Sequence, residues 1–211
     1  KKLRNYIMIS SFFVYNHFEY QDYSERKLTE TFDQDKTDGY TNRKIESELA
    51  LYSSKLMDIS TILRLPFVFS SDDYSNRFQS LCDFALIDHN QIVDNHVKYS
   101  LLRKDDAVES IVQVVNSDPL GIADLSNNGC VTSFELLDIL KSALRPLKSN
   151  RCLEVFNFPY FVTRDICLNS QKLTCELSTL DALIIEAESY RLLMGNKYTS
   201  LDNDFLRVGD I

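Results

Sequence analysis

Six residues stand at the spacing that surrounds a hard cation with oxygen: Asp124, Ser126, Asn128, Cys130, Thr132 and Glu135. Counted from Asp124, the side chains of Asp124, Ser126 and Asn128 fill the first, third and fifth places of a twelve-residue calcium loop, and the Cys130 carbonyl fills the seventh. Thr132 at the ninth place is suited to hold a water, and Glu135 at the twelfth gives both carboxylate oxygens. Gly129 stands sixth, where the chain turns sharply through a backbone conformation that disfavours a side chain. Val131 is apolar, as a residue packed beneath the loop would be. Only Asp124 and Glu135 are anionic, so a bound dication is neutralised without excess charge, which suits moderate or weak calcium affinity in a sensor or a structural site. The competing reading is a polar loop between two helices that binds nothing.

Such a loop needs helices on both sides. Ahead of it, a helix from Asp106 puts Val108, Ile111, Val112 and Val115 on one face, although Asp118-Pro119-Leu120-Gly121 intervenes before Asp124. After it, Phe134, Leu137, Ile139, Leu140 and Leu144 predict an exit helix that Pro146 stops. Ser24–Phe32 also reads as helix and leads into the acidic run 33–46. A start at Asp33 puts the glycine one place late, and a start at Asp35 puts Glu46 at the twelfth place but the glycine one place early, so a variant ion loop and a loop that has lost its ion both stay open. Its exit helix carries Ile45, Leu49, Tyr52 and Leu56 on one side. Asp88–Asp94 opens like a calcium loop without its glycine. Residues 3–20 carry an aromatic stripe at spacing closer to helical than to strand, and Ile59–Phe69, broken by Pro66, reads as a connection between lobes. Ser71-Asp72-Asp73 caps a helix through Ile87 with Phe78, Leu81, Cys82 and Ala85 inward. Ser178-x-x-Asp181 is a capping box for a helix to Met194, ending at Gly195.

On these residues the chain resembles the EF-hand superfamily, strongly over 124–135 and loosely over 24–145. The resemblance implies a mainly α fold of EF-hand-like paired helix-loop-helix units in two lobes. The expected divisions are an N-terminal lobe with a degenerate loop (1–70), a pair with one well-formed loop (71–150), and a C-terminal extension with a helix (151–211). It implies calcium as cofactor and a regulatory subunit or adaptor whose partner is a protein presenting an amphipathic helix. Two alternatives stay open. One is a structural, light-chain-like subunit. The other is a non-catalytic calcium-binding region of a larger enzyme, because Gly39-Tyr40-Thr41-Asn42-Arg43-Lys44-Ile45 looks like the loop exit in the large subunit of the Golgi N-acetylglucosamine-1-phosphotransferase family.

Composition narrows the rest. A formal charge of -8 with pI near 4.9 argues against nucleic acid, which needs a basic face. Five cysteines without a Cys-x-x-Cys read as reduced thiols, and hence as a cytoplasmic protein. No run reaches the roughly 18 apolar residues of a membrane span, and the missing initiating Met reads as a processed product or a segment of something longer. The sequence holds no glycine-rich phosphate loop, no Gly-x-Ser-x-Gly and no His-Glu-x-x-His, and His17, His89 and His96 are scattered. The expectation is therefore a protein with no catalysis of its own.

Overall fold

The computed structural model describes residues 3–17, 39–86, 97–144 and 165–205, with side chains of the last helix described to 194. In chain order the elements are β1 (Tyr6–Ser11), a 3-10 helix (Phe12–His17), α1 (Gly39–Tyr52), a 3-10 turn (Met57–Ile59), β2 (Ser60–Leu65) and β3 (Phe67–Phe69). There follow α2 (Arg77–Leu86), β4 (Lys98–Tyr99), β5 (Leu101–Arg103), α3 (Lys104–Val115), β6 (Gly121–Asp124), β7 (Val131–Thr132), α4 (Ser133–Ala143) and α5 (Thr179–Phe205).

The centre is β2. All six residues of Ser60–Leu65 are buried, the pattern of a strand covered on both faces. It lies between β1 and β6 in a parallel sheet ordered β1-β2-β6, with Ile62 opposite Met8 and Ile122, and Arg64 opposite Ser10 and Asp124. Successive residues face opposite ways. Ile62 packs with Leu51 of α1 and Ile122, while Leu63 packs with Ala107 and Val114 of α3, Leu102 and Leu173. The largest cluster gathers Phe12, Tyr15, Phe69, Phe78, Leu136, Leu140 and Leu183 from the helices around β3 and β5. Those two strands pair in parallel, and β4 pairs antiparallel with β7.

This architecture corrects the expected mainly α, EF-hand-like lobes: helices flank parallel strands, an α/β arrangement. Ile59–Phe69, read as a connection between lobes, holds the central strand, whose residues are buried on both faces with Ser60, Thr61 and Arg64 among them. The first residues, read as helical, form β1 and a short 3-10 helix. The helix ahead of residue 124 exists, but with a different face inward: Val108, Val112 and Val115 are more than half exposed and Ile111 is only partly buried, whereas Asp106, Ala107, Ser110 and Val114 are buried. The cause is polar. Asp106 accepts from Asn127 Nδ2 at 2.6 Å and from Arg103 at 3.1 Å, which turns the hydrogen-bonded side inward at the expense of the valine stripe. The Ser178 cap forms as expected, with the Asp181 backbone N–H donating to Ser178 Oγ at 3.1 Å. The helix does not stop at Gly195 but runs to Phe205. Cys130 and Cys167, expected as thiols, are bridged with their Cα atoms 5.9 Å apart; Cys82 and Cys175 are buried free thiols. The expected helix 24–32 and the loop 88–94 lie outside the described residues, as does most of the acidic run before Gly39.

The two hydrophobic faces predict opposite outcomes. Leu63→Ala should lower the free energy of unfolding by about 2–5 kcal/mol, and Val108→Ala should change it by no more than about 0.5 kcal/mol. Urea titrations of both variants check this, and a Val108 effect as large as that of Leu63 would contradict the described orientation of α3.

Candidate functional site

In an open parallel sheet, ligands bind beyond the carboxyl ends of the strands. Here those ends carry Ser10 and Ser11 on β1, Arg64 and Leu65 on β2, and Asp124 on β6. β1 and β2 are adjacent and parallel, so the chain between them must travel back along the sheet. α1 is the described part of that return. It opens with Gly39 and Tyr40, and Tyr40, Lys44 and Glu48 follow at i, i+4 and i+8 along one side.

Three contacts fix α1 to the strands. Lys44 Nζ donates to the Ile9 carbonyl at 2.9 Å, Ser10 Oγ donates to Glu48 Oε1 at 2.5 Å, and Arg64 Nη2 reaches Glu48 Oε2 at 2.6 Å. Tyr52, one turn on, donates to Glu48 Oε2 at 2.7 Å, and Arg64 Nε reaches Glu48 Oε1 at 3.1 Å. The Arg64 guanidinium also lies over the Tyr15 ring, 4.8 Å from its centroid, and the Tyr15 hydroxyl donates to Asp124 at 2.8 Å. Burial and the Asp124 carboxylate both push the Tyr15 phenol far above its usual range, so it stays a donor.

Above this buried layer lie Tyr40 and Lys44 of α1, and at the strand end the buried hydroxyl of Ser11. Tyr40 is 47% exposed, and Lys44 Nζ stands 5.7 Å from its ring centroid. The two serines differ. Ser10 is committed to Glu48, whereas Ser11 Oγ accepts from the Phe13 backbone N–H at 3.3 Å, which leaves its own proton to give. A phenol and an ammonium thus stand at the start of the helix, and a buried hydroxyl at the end of the strand to which that helix is tied.

The six residues expected to hold calcium go elsewhere. Asp124 is fully buried at the end of β6 beneath Tyr15, and Ser126 is buried in the segment that follows. Asn128 Nδ2 donates to the Cys175 carbonyl at 2.8 Å, and Cys130 is bridged to Cys167. Thr132 and Glu135 cap α4: the Glu135 backbone N–H donates to Thr132 Oγ1 at 3.1 Å, and the Thr132 backbone N–H donates to Glu135 Oε2 at 2.8 Å. A capping box shares the three-residue offset of the ninth and twelfth loop positions, so the two patterns coincide in sequence. Gly129 does take a positive φ of 89°, as a sharp turn requires. Among the described residues no group of three or more His, Cys, Asp or Glu could hold a metal ion. No helix of the described residues is long and apolar enough to cross a membrane.

No protein-family model matches the sequence, and no curated protein matches it. Solved structures do. A GDP-mannoheptose C4 reductase from Campylobacter jejuni with NADP bound matches with a TM-score of 0.64 at 12% identity, over 89% of this chain and 68% of that one. A dTDP-glucose 4,6-dehydratase from Bacillus anthracis in complex with NAD matches at 0.62 and 14%, over 87% and 60%. A UDP-glucose 4-epimerase from Thermotoga maritima with UDP-glucose matches at 0.59 and 14%, over 90% and 64%. The chain thus spans about two thirds or less of most such structures, and at these identities the likeness establishes the fold: a Rossmann-like α/β arrangement. The EF-hand resemblance is overturned, and with it calcium as cofactor, the non-catalytic regulatory reading, and both alternatives, the light-chain-like subunit and the calcium-binding region of a larger enzyme.

The neighbours' dinucleotide can be tested against the residues present. Its pyrophosphate is held in this fold class by a Gly-x-Gly-x-x-Gly turn, and this sequence has five glycines with no Gly-x-Gly among them. A Cβ added at Gly39 would meet Arg43 at an ordinary 3.6 Å, and one at Gly121 or Gly129 would meet nothing within 4 Å, so none of the three marks a close backbone approach. These residues do not form the pyrophosphate cradle.

Thr132→Ala should cost about 0.5–2 kcal/mol through loss of the cap, equally in calcium and in chelator. The Thr132 backbone N–H and hydroxyl hold the Glu135 carboxyl below its ordinary 4.5. Its contribution to stability is complete above the unfolded value and is lost as pH falls through the lower folded value. Thermal melts of the wild type and Glu135→Gln from pH 7 to 3 should therefore converge on the acid side, and a calcium-dependent rise in Tm would contradict the capping role.

Proposed function

We propose that this chain supplies the sugar-binding and acid–base part of an NAD(P)-dependent enzyme that modifies a nucleotide-linked sugar by epimerisation, dehydration or reduction. The observation that carries the reading is Tyr40, exposed at the first turn of α1 with Lys44 beside its ring and the Ser10–Ser11 strand end tied to the same helix. Interconversion of a sugar hydroxyl and carbonyl requires a group that takes or returns the oxygen's proton. A positioned phenol does this. The Lys44 ammonium opposes the negative charge that develops on the phenol oxygen as the proton leaves. Ser11, with its proton uncommitted, donates a hydrogen bond to the same substrate oxygen. The neighbours support the substrate class, since their names carry GDP-, dTDP- and UDP-linked sugars and NAD or NADP. Holding the dinucleotide's pyrophosphate falls to residues other than these.

UDP-glucose titrated into the chain and followed by calorimetry tests this. Binding is expected, and Tyr40→Phe and Ser11→Ala, each losing one hydrogen bond of about 0.5–1.5 kcal/mol, should weaken it roughly two- to twelvefold. The reading fails if UDP-glucose, dTDP-glucose and GDP-mannose all go unbound at millimolar concentration, or if neither variant changes the affinity.

A further inference from the structure

Glu48 is the group through which α1, β1 and β2 meet. Its Oε1 accepts from Ser10 of β1 and from Arg64 Nε of β2, and its Oε2 accepts from Arg64 Nη2 and from Tyr52 of α1 itself. Both Glu48 and Arg64 are fully buried. A well-packed apolar pair would stabilise such a location as well as or better than a buried ion pair. What the ion pair adds is direction, because a carboxylate gripped on both oxygens by two strands and its own helix admits one rotation and one axial position of that helix. Tyr40 lies two turns away, about 12 Å along the axis, and Lys44 lies between them with its ammonium on the Ile9 carbonyl. Consecutive β1 residues are thus apportioned: Ile9 holds Lys44, Ser10 holds Glu48, and Ser11 is left for the ligand.

We infer that Glu48 is a positioning residue: through Ser10 and Arg64 it sets α1 so that the Tyr40–Lys44 pair meets the Ser11 end of β1. The inference rests on the proposed acid–base role of Tyr40. It assigns Glu48 no contact with substrate, and it makes Ser10 part of the support and Ser11 part of the site.

The test uses the full chain with Ser10→Ala and Glu48→Gln, and with Ile45→Val as a control that loosens buried packing of α1 without touching the latch. Two quantities are read: nuclear Overhauser cross-peaks between the Lys44 ε-methylene and the Ile9 and Ser10 backbone protons of β1, and the affinity for UDP-glucose. In the two latch variants, each shown folded by circular dichroism, the cross-peaks should weaken or vanish and affinity should fall at least fivefold. Ile45→Val should lower the melting temperature and leave both readouts as in the wild type. Retention of cross-peaks and affinity in both folded latch variants overturns the inference, and so does an equal loss in Ile45→Val, which would make the effect one of general stability. Should Glu48→Gln not fold, Ser10→Ala decides, because it keeps the ion pair. If the wild type binds no UDP-glucose, the functional reading fails, and the cross-peaks alone still decide whether Glu48 sets the pair.

Discussion

The buried guanidinium of Arg64 is the constraint around which the sheet closes. A fully buried arginine cannot shed its proton to escape the cost of desolvation, so the surrounding fold must bring charge and acceptors to it. Burial by itself would lower its pKa, but the hydrogen bonds and charge of Glu48 prevail and drive it higher, so the cation is secure. Glu48 arrives from α1, Tyr15 covers the guanidinium from the 3-10 helix after β1, and Asp124 accepts from Tyr15 at the end of β6. Three elements distant in sequence are thereby fixed to the middle strand. All their functional ends lie at one edge of the sheet, since parallel pairing aligns the carboxyl ends of β1, β2 and β6.

A second polar layer does for the far side what Arg64 does for the near one. Asn127 accepts from the Arg103 backbone N–H at 2.7 Å and donates to Asp106 at 2.6 Å, which holds the segment after β6 against the start of α3. The Asn127 and Asn128 backbone N–H groups donate to the Leu101 and Leu177 carbonyls, so this segment is bound on both sides. Such a run needs short polar side chains and a glycine. Those are also the requirements of a calcium loop, and that overlap accounts for the strength of the false signal between Asp124 and Glu135.

Local features were the legible ones. The cap at Ser178, the turn at Gly129, and the helices holding Ile45 and Leu81 follow from spacing over a few residues, whereas the cap at Thr132 reads in sequence as part of an ion loop. The sheet was hidden for a physical reason: β2 is covered on both faces and so lacks the alternation that distinguishes a strand, and its Pro66 resembles a helix stop. The orientation of α3 was hidden because hydrogen bonds from Asn127 and Arg103 outweigh a stripe of three valines. The Tyr40-x-x-x-Lys44 pair was within reach, since a phenol and an amine at i, i+4 on an amphipathic helix are visible in sequence. Its meaning was not, because it depends on Ser10 and Ser11, about thirty residues earlier, arriving beside that helix.

The proposed separation between chemistry and cofactor holding rests on the same geometry. The contacts that place Tyr40 and Lys44 come from three elements: Ile9 and Ser10 on β1, Arg64 on β2, and Glu48 and Tyr52 on α1. None involves a glycine-rich turn. The arrangement of Tyr40 and Lys44 is therefore tied to the buried ion pair of Glu48 and Arg64 beneath it. A residue that grips a nucleotide pyrophosphate and one that moves a sugar proton answer to different demands, the first to close backbone approach and the second to a fixed helix rotation. A fixed helix rotation is what Glu48 and Arg64 supply here.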